Sequence, residues 1–378
     1  MIPKNLRAVA TAFLFGTASV AAATALTTPV EAAVRASVGK PLQAAIAAAN
    51  SGNYSAAMAH IKEAEAVGGL SAEEQKTLAQ ARDFIAAKSG GSAPVTSATS
   101  AQAKFNADYR ARKYKDVIAD ADMLRKYNIL NAKNMQVIAQ AYYLQRDFAG
   151  CVRYAKSLGG ASELLMRCAY EAHDDATYSG ALEQLVASSG KAEYWQRLIK
   201  FAEGSKALSD HQSLDIYRIK YRVGVTSTAD DYFITAQYAL QFGFAAEAKS
   251  VIDAGVAKKI LNDARAQRLA KKANDDVASN QRNLPKTIKE ANSAKNGDLL
   301  VKLGEDYCGM NKGKEAVDAV KAGIAKGVTD PDNAQLRLGQ AYYTAGQKAQ
   351  ALAAFAKVSG SANAKLMSKL WTLYVKTH

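Results

Sequence analysis

Four histidines and three cysteines are the residues of this 378-residue chain best suited to nucleophilic or metal chemistry. Among them only His173, followed by Asp174 and Asp175, stands in a cluster that could relay a proton. The cluster falls between two helical segments, where an aspartate ordinarily accepts the first free N–H groups of the next helix, so it reads as a cap. The pairs Asp230/Asp231 and Asp275/Asp276 read in the same way, as helix ends. No HExxH, GxSxG, GxxxxGK[ST] or GxGxxG occurs, which removes the spacings that build a zinc protease, a nucleophile elbow or a phosphate loop. No catalytic residue, metal ligand or cofactor site is assigned, and the chain is expected not to be an enzyme.

The elements that must position any site are helices, and they repeat. Leu338, Gly339, Tyr342, Ala351 and Phe355 are echoed 35 residues earlier by Leu303, Gly304, Tyr307, Ala316 and Val320. A small or apolar marker early in each second helix recurs as Ala57, Val117, Cys151, Ala181, Leu214, Ala248, Ala316 and Ala351. From Val117 to Ala248 the steps are 34, 30, 33 and 34 residues; the step of 68 from Ala248 to Ala316 leaves room for one degenerate unit. That unit is expected to have a first helix near Asn262–Asp275 and a second after Pro285. Two antiparallel helices of this length cannot bury their apolar faces alone, so each unit must stack on its neighbours.

The grid resembles the tetratricopeptide repeat, whose signature has a period of 34 residues. Trp195 and Leu198 match the start of one unit, and Pro331 stands at the usual boundary before the last. The resemblance covers roughly residues 38 to 377. It implies an all-α fold, a right-handed superhelical solenoid of antiparallel helix pairs, working as a protein-interaction scaffold. It also implies that the outward face of each first helix lines a concave groove. The sixth grid position takes that face, and through six successive units it reads Arg167, Arg197, Ile234, Arg268, Lys302 and Arg337, flanked by Lys200 and Lys271. Cations spaced by one repeat suit an extended anionic partner, because arginine pairs bidentately with carboxylate or phosphate. The expected partner is a protein or an extended acidic peptide, touching Arg167, Arg197, Lys200, Arg268, Lys271, Lys302 and Arg337, with groove residues such as Phe233 and Leu336 adding apolar contact. An anionic polysaccharide or cell-wall polymer is the alternative.

The net charge of +14 agrees with an acidic partner. Nucleic acid is not expected, since most tyrosines fall on buried grid positions instead of beside the cations.

The first 32 residues read as a signal peptide, with Lys4 and Arg7, an uncharged stretch from Ala8 to Leu26, and Val30-Glu31-Ala32 before the expected cut at Ala33. Cleavage would leave a net charge of +13, no membrane span and a periplasmic protein. Residues 33–88 read as an N-terminal helical unit, with a capping box at Ser71 and Glu74. Residues 89–100, rich in Gly, Ser, Ala and Thr, read as a flexible linker. Residues 101–360 form the repeat array and 361–378 a capping helix. Cys151 and Cys168 fall on core positions of adjacent units and read as small buried residues, although an oxidising compartment would also let them pair.

Overall fold

A computed structural model describes residues 34–89, 95, 97–205 and 207–378. The signal-peptide reading and half of the expected linker, residues 90–94 and 96, lie outside the described residues. Among those described, the chain forms nineteen helices and no strand, an all-helical array of tetratricopeptide-like pairs. No described helix is long and apolar enough to cross a membrane.

Contacts divide the chain into two compact units, with the division after Ala111. The first unit holds α1 (Ala36–Asn50), α2 (Tyr54–Ala66), α3 (Ala72–Lys88) and α4 (Ala98–Arg110). Helix α4, expected to open the main array, instead belongs here and packs on α3. Val38, Leu42, Ala57, Ile61, Leu78 and Ile85 make the core. The expected capping box forms: Ser71 Oγ accepts from the Glu74 N–H at 3.2 Å, and Glu74 Oε2 accepts from the Ser71 N–H at 2.8 Å. Arg35 also grips Glu74 at 2.9 Å, and these donors hold its carboxyl down at about 2.

The second unit continues with α5 (Tyr114–Lys126), α6 (Ala132–Leu144), α7 (Phe148–Leu158), α8 (Glu163–Glu171), α9 (Asp175–Ser189), α10 (Ala192–Glu203) and α11 (Asp210–Arg222). After these come α12 (Ala229–Gln241), α13 (Ala245–Ala257), α14 (Ala264–Ser293), α15 (Asp298–Gly309), α16 (Gly313–Lys326), α17 (Pro331–Thr344), α18 (Lys348–Phe355) and α19 (Ala362–Thr377). Every marker from Ala57 to Ala351 stands on a second helix and is at most 2% exposed. The small grid residues fit for a steric reason: a Cβ on Gly339 would run into the Phe355 ring, and one on Gly304 into Val320. Pro331 opens α17 at its first turn, where its missing N–H has no partner to lose.

Two features depart from a regular stack. The degenerate unit is not a helix pair, because α14 runs unbroken for 30 residues, about 45 Å at 1.5 Å per residue. Asp276 to Leu284 contains no glycine to turn the chain. Pro285 removes one backbone hydrogen bond without ending the helix, and the exposed side of α14 lets water take the freed carbonyl. Asp275 and Asp276 therefore do not mark a helix end. They sit inside α14 and pair one turn back with Lys271 and Lys272, at 2.6 and 2.8 Å.

The second departure is at the C-terminus. Helix α19 covers α17 and α18 as a cap should, but it also packs against α9 and α11. A single apolar cluster accordingly joins Leu182, Ile216 and Ile219 to Met367, Leu370 and Trp371. Asn363 donates to the Ala207 carbonyl at 3.2 Å, and Lys369 pairs with Glu183 at 3.3 Å. The second unit thus folds back on itself, and the inner faces of its middle and last helices meet.

Candidate interaction site

Where α11 meets α15 and α17, the contact is ionic. Helix α11 starts from a Ser209 capping box and carries Asp215 and Arg218 one turn apart, beside the buried marker Leu214. Glu305 follows Gly304 on α15, and Arg337 and Gln340 lie one turn apart on α17. Arg337 clasps Asp215 with both terminal nitrogens, at 2.6 and 2.5 Å, while Gln340 Nε2 donates to the same carboxylate at 2.9 Å. Arg337 also reaches Glu305 at 3.0 Å and donates from Nε to Asn333 Oδ1 at 3.0 Å. Arg218 donates to Glu305 at 2.5 Å and, from Nε and Nη2, to Glu247 of α13 at 2.7 and 2.6 Å. Its guanidinium lies 5.2 Å from the centre of the Phe244 ring. His211 Nε2 stands 2.7 Å from Glu305.

All four central groups are buried: Asp215 is 0% exposed, Arg337 1%, Glu305 3% and Arg218 6%. Burial pushes the Asp215 carboxyl up, but Arg337 and Arg218 outweigh it, so its pKa lies below the ordinary value. The same balance, with Arg337 and Arg218 ahead of His211, holds Glu305 well below the carboxylate range. Both arginines stay charged, since the carboxylates overcome the burial that would lower their pKa. With its donors and acceptors so engaged, the cluster has no group poised as a nucleophile or base. It works as a clamp of α11 on α15 and α17.

The adjoining Asp306 is the opposite case. Its Oδ1 is buried with no hydrogen-bond partner, and burial, then Glu247 and Glu305, push its carboxyl up to about 6. Clefts open on either side of the clamp. One of about 250 Å³ is walled by His211, Phe242, Phe244, Lys302 and Asn333, with His211 stacked 4.6 Å from Phe242. On the other side lie spaces of about 280 and 320 Å³ that share Arg222, Cys308, Asn311, Tyr343 and Thr344.

Six of the seven cations expected to touch a partner lie at the surface. Arg167 on α8, Arg197 and Lys200 on α10, Arg268 and Lys271 on α14, and Lys302 on α15 are exposed. Arg167 lies 3.5 Å from Glu163, whose carboxyl also feels Arg197, so these two cations of neighbouring units come together. Arg197, Lys200, Arg268 and Lys302 pair with no carboxylate within 4 Å among the described residues, whereas Lys271 is taken by Asp275. Arg337 is a correction: it is buried in the clamp, because its sixth-position face meets α11 and not an open groove. Phe233 and Leu336 are likewise not groove residues. Both are buried, Phe233 beneath the Arg265 guanidinium at 4.1 Å.

Asp174 caps α9, with Oδ1 accepting from the Thr177 N–H at 3.0 Å. Sequence reasoning missed Tyr170, 62% exposed one turn beyond Arg167 and 5.5 Å from Tyr178. Its place outside the buried grid positions was the available signal. Arg222 and Lys348, which line a common space, were missed as well. Cys151 and Cys168 are joined in a disulfide between α7 and α8, with Cα atoms 5.8 Å apart. Burial pushes the remaining thiol, Cys308, up to about 11, which keeps it protonated and unreactive at neutral pH.

No protein-family profile and no curated protein matches the chain. Among solved structures it is similar to the P58(IPK) TPR domain, at 10% identity over 89% of this chain and 79% of that one, with a TM-score of 0.23. It is also similar to the pentatricopeptide repeat protein PPR10 from maize, at 12% identity over 89% and 62%, with a TM-score of 0.25. A third is the APC/C hetero-tetramer Cut9-Hcn1, at 13% identity over 87% and 66%, with a TM-score of 0.21. The chain spans less than two thirds of the last two, and TM-scores this low transfer nothing about partners.

Proposed function

We propose that this chain is a non-enzymatic interaction scaffold of a bacterial cell envelope that holds an acidic, extended partner protein on the exposed cations of its first helices. The observation that carries the reading is that Arg197, Lys200, Arg268 and Lys302 are exposed and pair with no carboxylate among the described residues, on helices that recur along the array. Unpaired surface cations lose little hydration before a partner arrives, and they steer it from within a Debye length of about 8 Å at physiological salt. The amino-terminal leader pattern and the Cys151–Cys168 disulfide support an oxidising, exported location. An acidic polysaccharide would use the same cations, and the exposed ring of Tyr170 beside Arg167 favours it as the second reading.

The test compares the chain from Ala33 with a variant carrying Arg197→Glu, Lys200→Glu, Arg268→Glu and Lys302→Glu. Both are titrated with poly-glutamate and with a soluble polyuronate over a range of salt. Salt-sensitive binding that weakens at least about tenfold in the variant, roughly 1.4 kcal/mol, is the expected result, and the better-bound polymer decides between the two readings. Equal binding by both proteins would sink the proposal.

A further inference from the structure

We propose that the space bounded by α11, α15, α17 and α19 is a binding site for a dianionic oxyanion group, a phosphate or sulfate carried free or as a monoester. It lies on the far side of the clamp from the cleft walled by His211 and Phe242, and it does not depend on the first-helix cations. Its carboxylates are already engaged. Glu247 and Glu305 line it, and both bind Arg218, at 2.6 and 2.5 Å, with Arg337 also on Glu305. What remains to set the charge of the space is Arg222 and Lys348, which line one cavity of about 320 Å³ and pair with no carboxylate within 4 Å among the described residues.

Arg222 is not a freely swinging surface side chain. Its guanidinium lies 5.7 Å from the centre of the Trp371 ring, and its charge is felt by Cys308 and Tyr343, two walls of the same space. A guanidinium fixed on one face by an indole keeps its N–H fork for an oxyanion, which it meets bidentately. Lys348 adds a point charge from the start of α18.

The second observation concerns donors. Trp371 is 2% exposed, lines the adjoining part of the cleft, and its indole N–H is buried with no acceptor among the described residues. An indole nitrogen can only donate, so Trp371 adds no acceptor that would compete for the two cations. Asn311, held at φ 57° in the turn after α15, brings a side-chain amide to the same wall. Two cations with no carboxylate partner among the described residues, and a side-chain amide beside them, favour an occupant of high negative charge. A cavity of 320 Å³ would hold about ten waters at about 30 Å³ each, room for such a group and a small ester.

The chain has two tryptophans, so a Trp195→Phe background leaves Trp371 as the only indole reporter. That protein is titrated with inorganic phosphate, with sulfate, with a sugar phosphate, and with chloride at matched ionic strength, by Trp371 emission and by calorimetry. We expect saturable binding of the dianions and none of chloride, weakened at least about tenfold by Arg222→Gln and by Lys348→Gln and unchanged by Lys369→Gln. The stronger of sugar phosphate and inorganic phosphate then identifies the ester or the free ion as the source. Lys348 is exposed, so its variant keeps the test valid even where Arg222→Gln loses the fold. Absence of saturable binding by both methods, a response matched by chloride, or wild-type affinity in Lys348→Gln overturns the proposal.

Discussion

The second unit closes on itself along two seams of different chemistry. Where α19 meets α9 and α11 the contact is oily: Met367, Leu370, Trp371 and Tyr374 are 0 to 6% exposed against Leu182, Ile216 and Ile219. Where α11 meets α15 and α17 it is a buried set of two arginines and two carboxylates, extended to Glu247 and His211. Apolar surface sticks to any apolar surface of fitting shape, and its strength follows area. Buried charges gain little net stability over an apolar isostere but punish any misalignment, since a lone buried charge is strongly unfavourable. The oily seam therefore supplies attraction, and the ionic seam fixes which faces meet.

The largest effects that test this contrast are Trp371→Ala and Arg337→Leu. Each should destabilise by about 3–5 kcal/mol at neutral pH, the first through a cavity and the second by stranding Asp215 and Glu305. Acid should separate them. Asp215 and Glu305 have depressed folded-state values, so their stabilisation is present above the ordinary carboxylate range and is lost as pH falls below it. Protonation also removes the stranded charge, so the Arg337→Leu penalty should shrink in urea unfolding near pH 4 while that of Trp371→Ala stays constant. Equal pH dependence in the two variants would show that the clamp is not ionic in effect.

A smaller effect of opposite sign is expected beside the ionic seam. Asp306 is raised from 3.8 to about 6, so its ionised form costs stability above pH 6, and the cost disappears as pH falls below 3.8. Asp306→Asn should stabilise the protein by about 1–3 kcal/mol at neutral pH, with no gain near pH 3. The smallest effect belongs to Lys369→Gln, which removes an ion pair on the rim of the oily seam. With the Lys369 side chain 62% exposed, its loss should change stability by less than about 0.5 kcal/mol; a larger loss would mean that charge also aligns α19.

Local features of this architecture were legible in the residues. The eight markers all lie on buried faces of second helices, Ser71 and Asp174 cap as their sequence contexts imply, and Pro331 opens α17. The misplacing of Arg337 has a definite cause, which is that a repeat pattern describes only nearest neighbours. Arg337 follows the rule for an outward position, and only the return of α11, 122 residues away in sequence, turns that position inward. A hint existed, because Glu305 and Arg337 are charges of opposite sign directly beside grid residues, Gly304 in one case and Leu338 in the other. Helix α14 failed differently. A proline suggested a break, but exposed backbone tolerated it, and no glycine offered an alternative path.

Closure also changes how this chain must fold. In a linear array each unit answers only to its neighbours, so folding can begin anywhere and the ends fray first. Here α17 and α19 hold the middle, through a link of 122 residues from α17 and links of 156 and 186 residues from α19. Such distant pairings raise contact order, and they slow the search for the native state. The carboxyl end, ordinarily the loosest part of a solenoid, should exchange its amide protons as slowly as α11, because neither can open without the other.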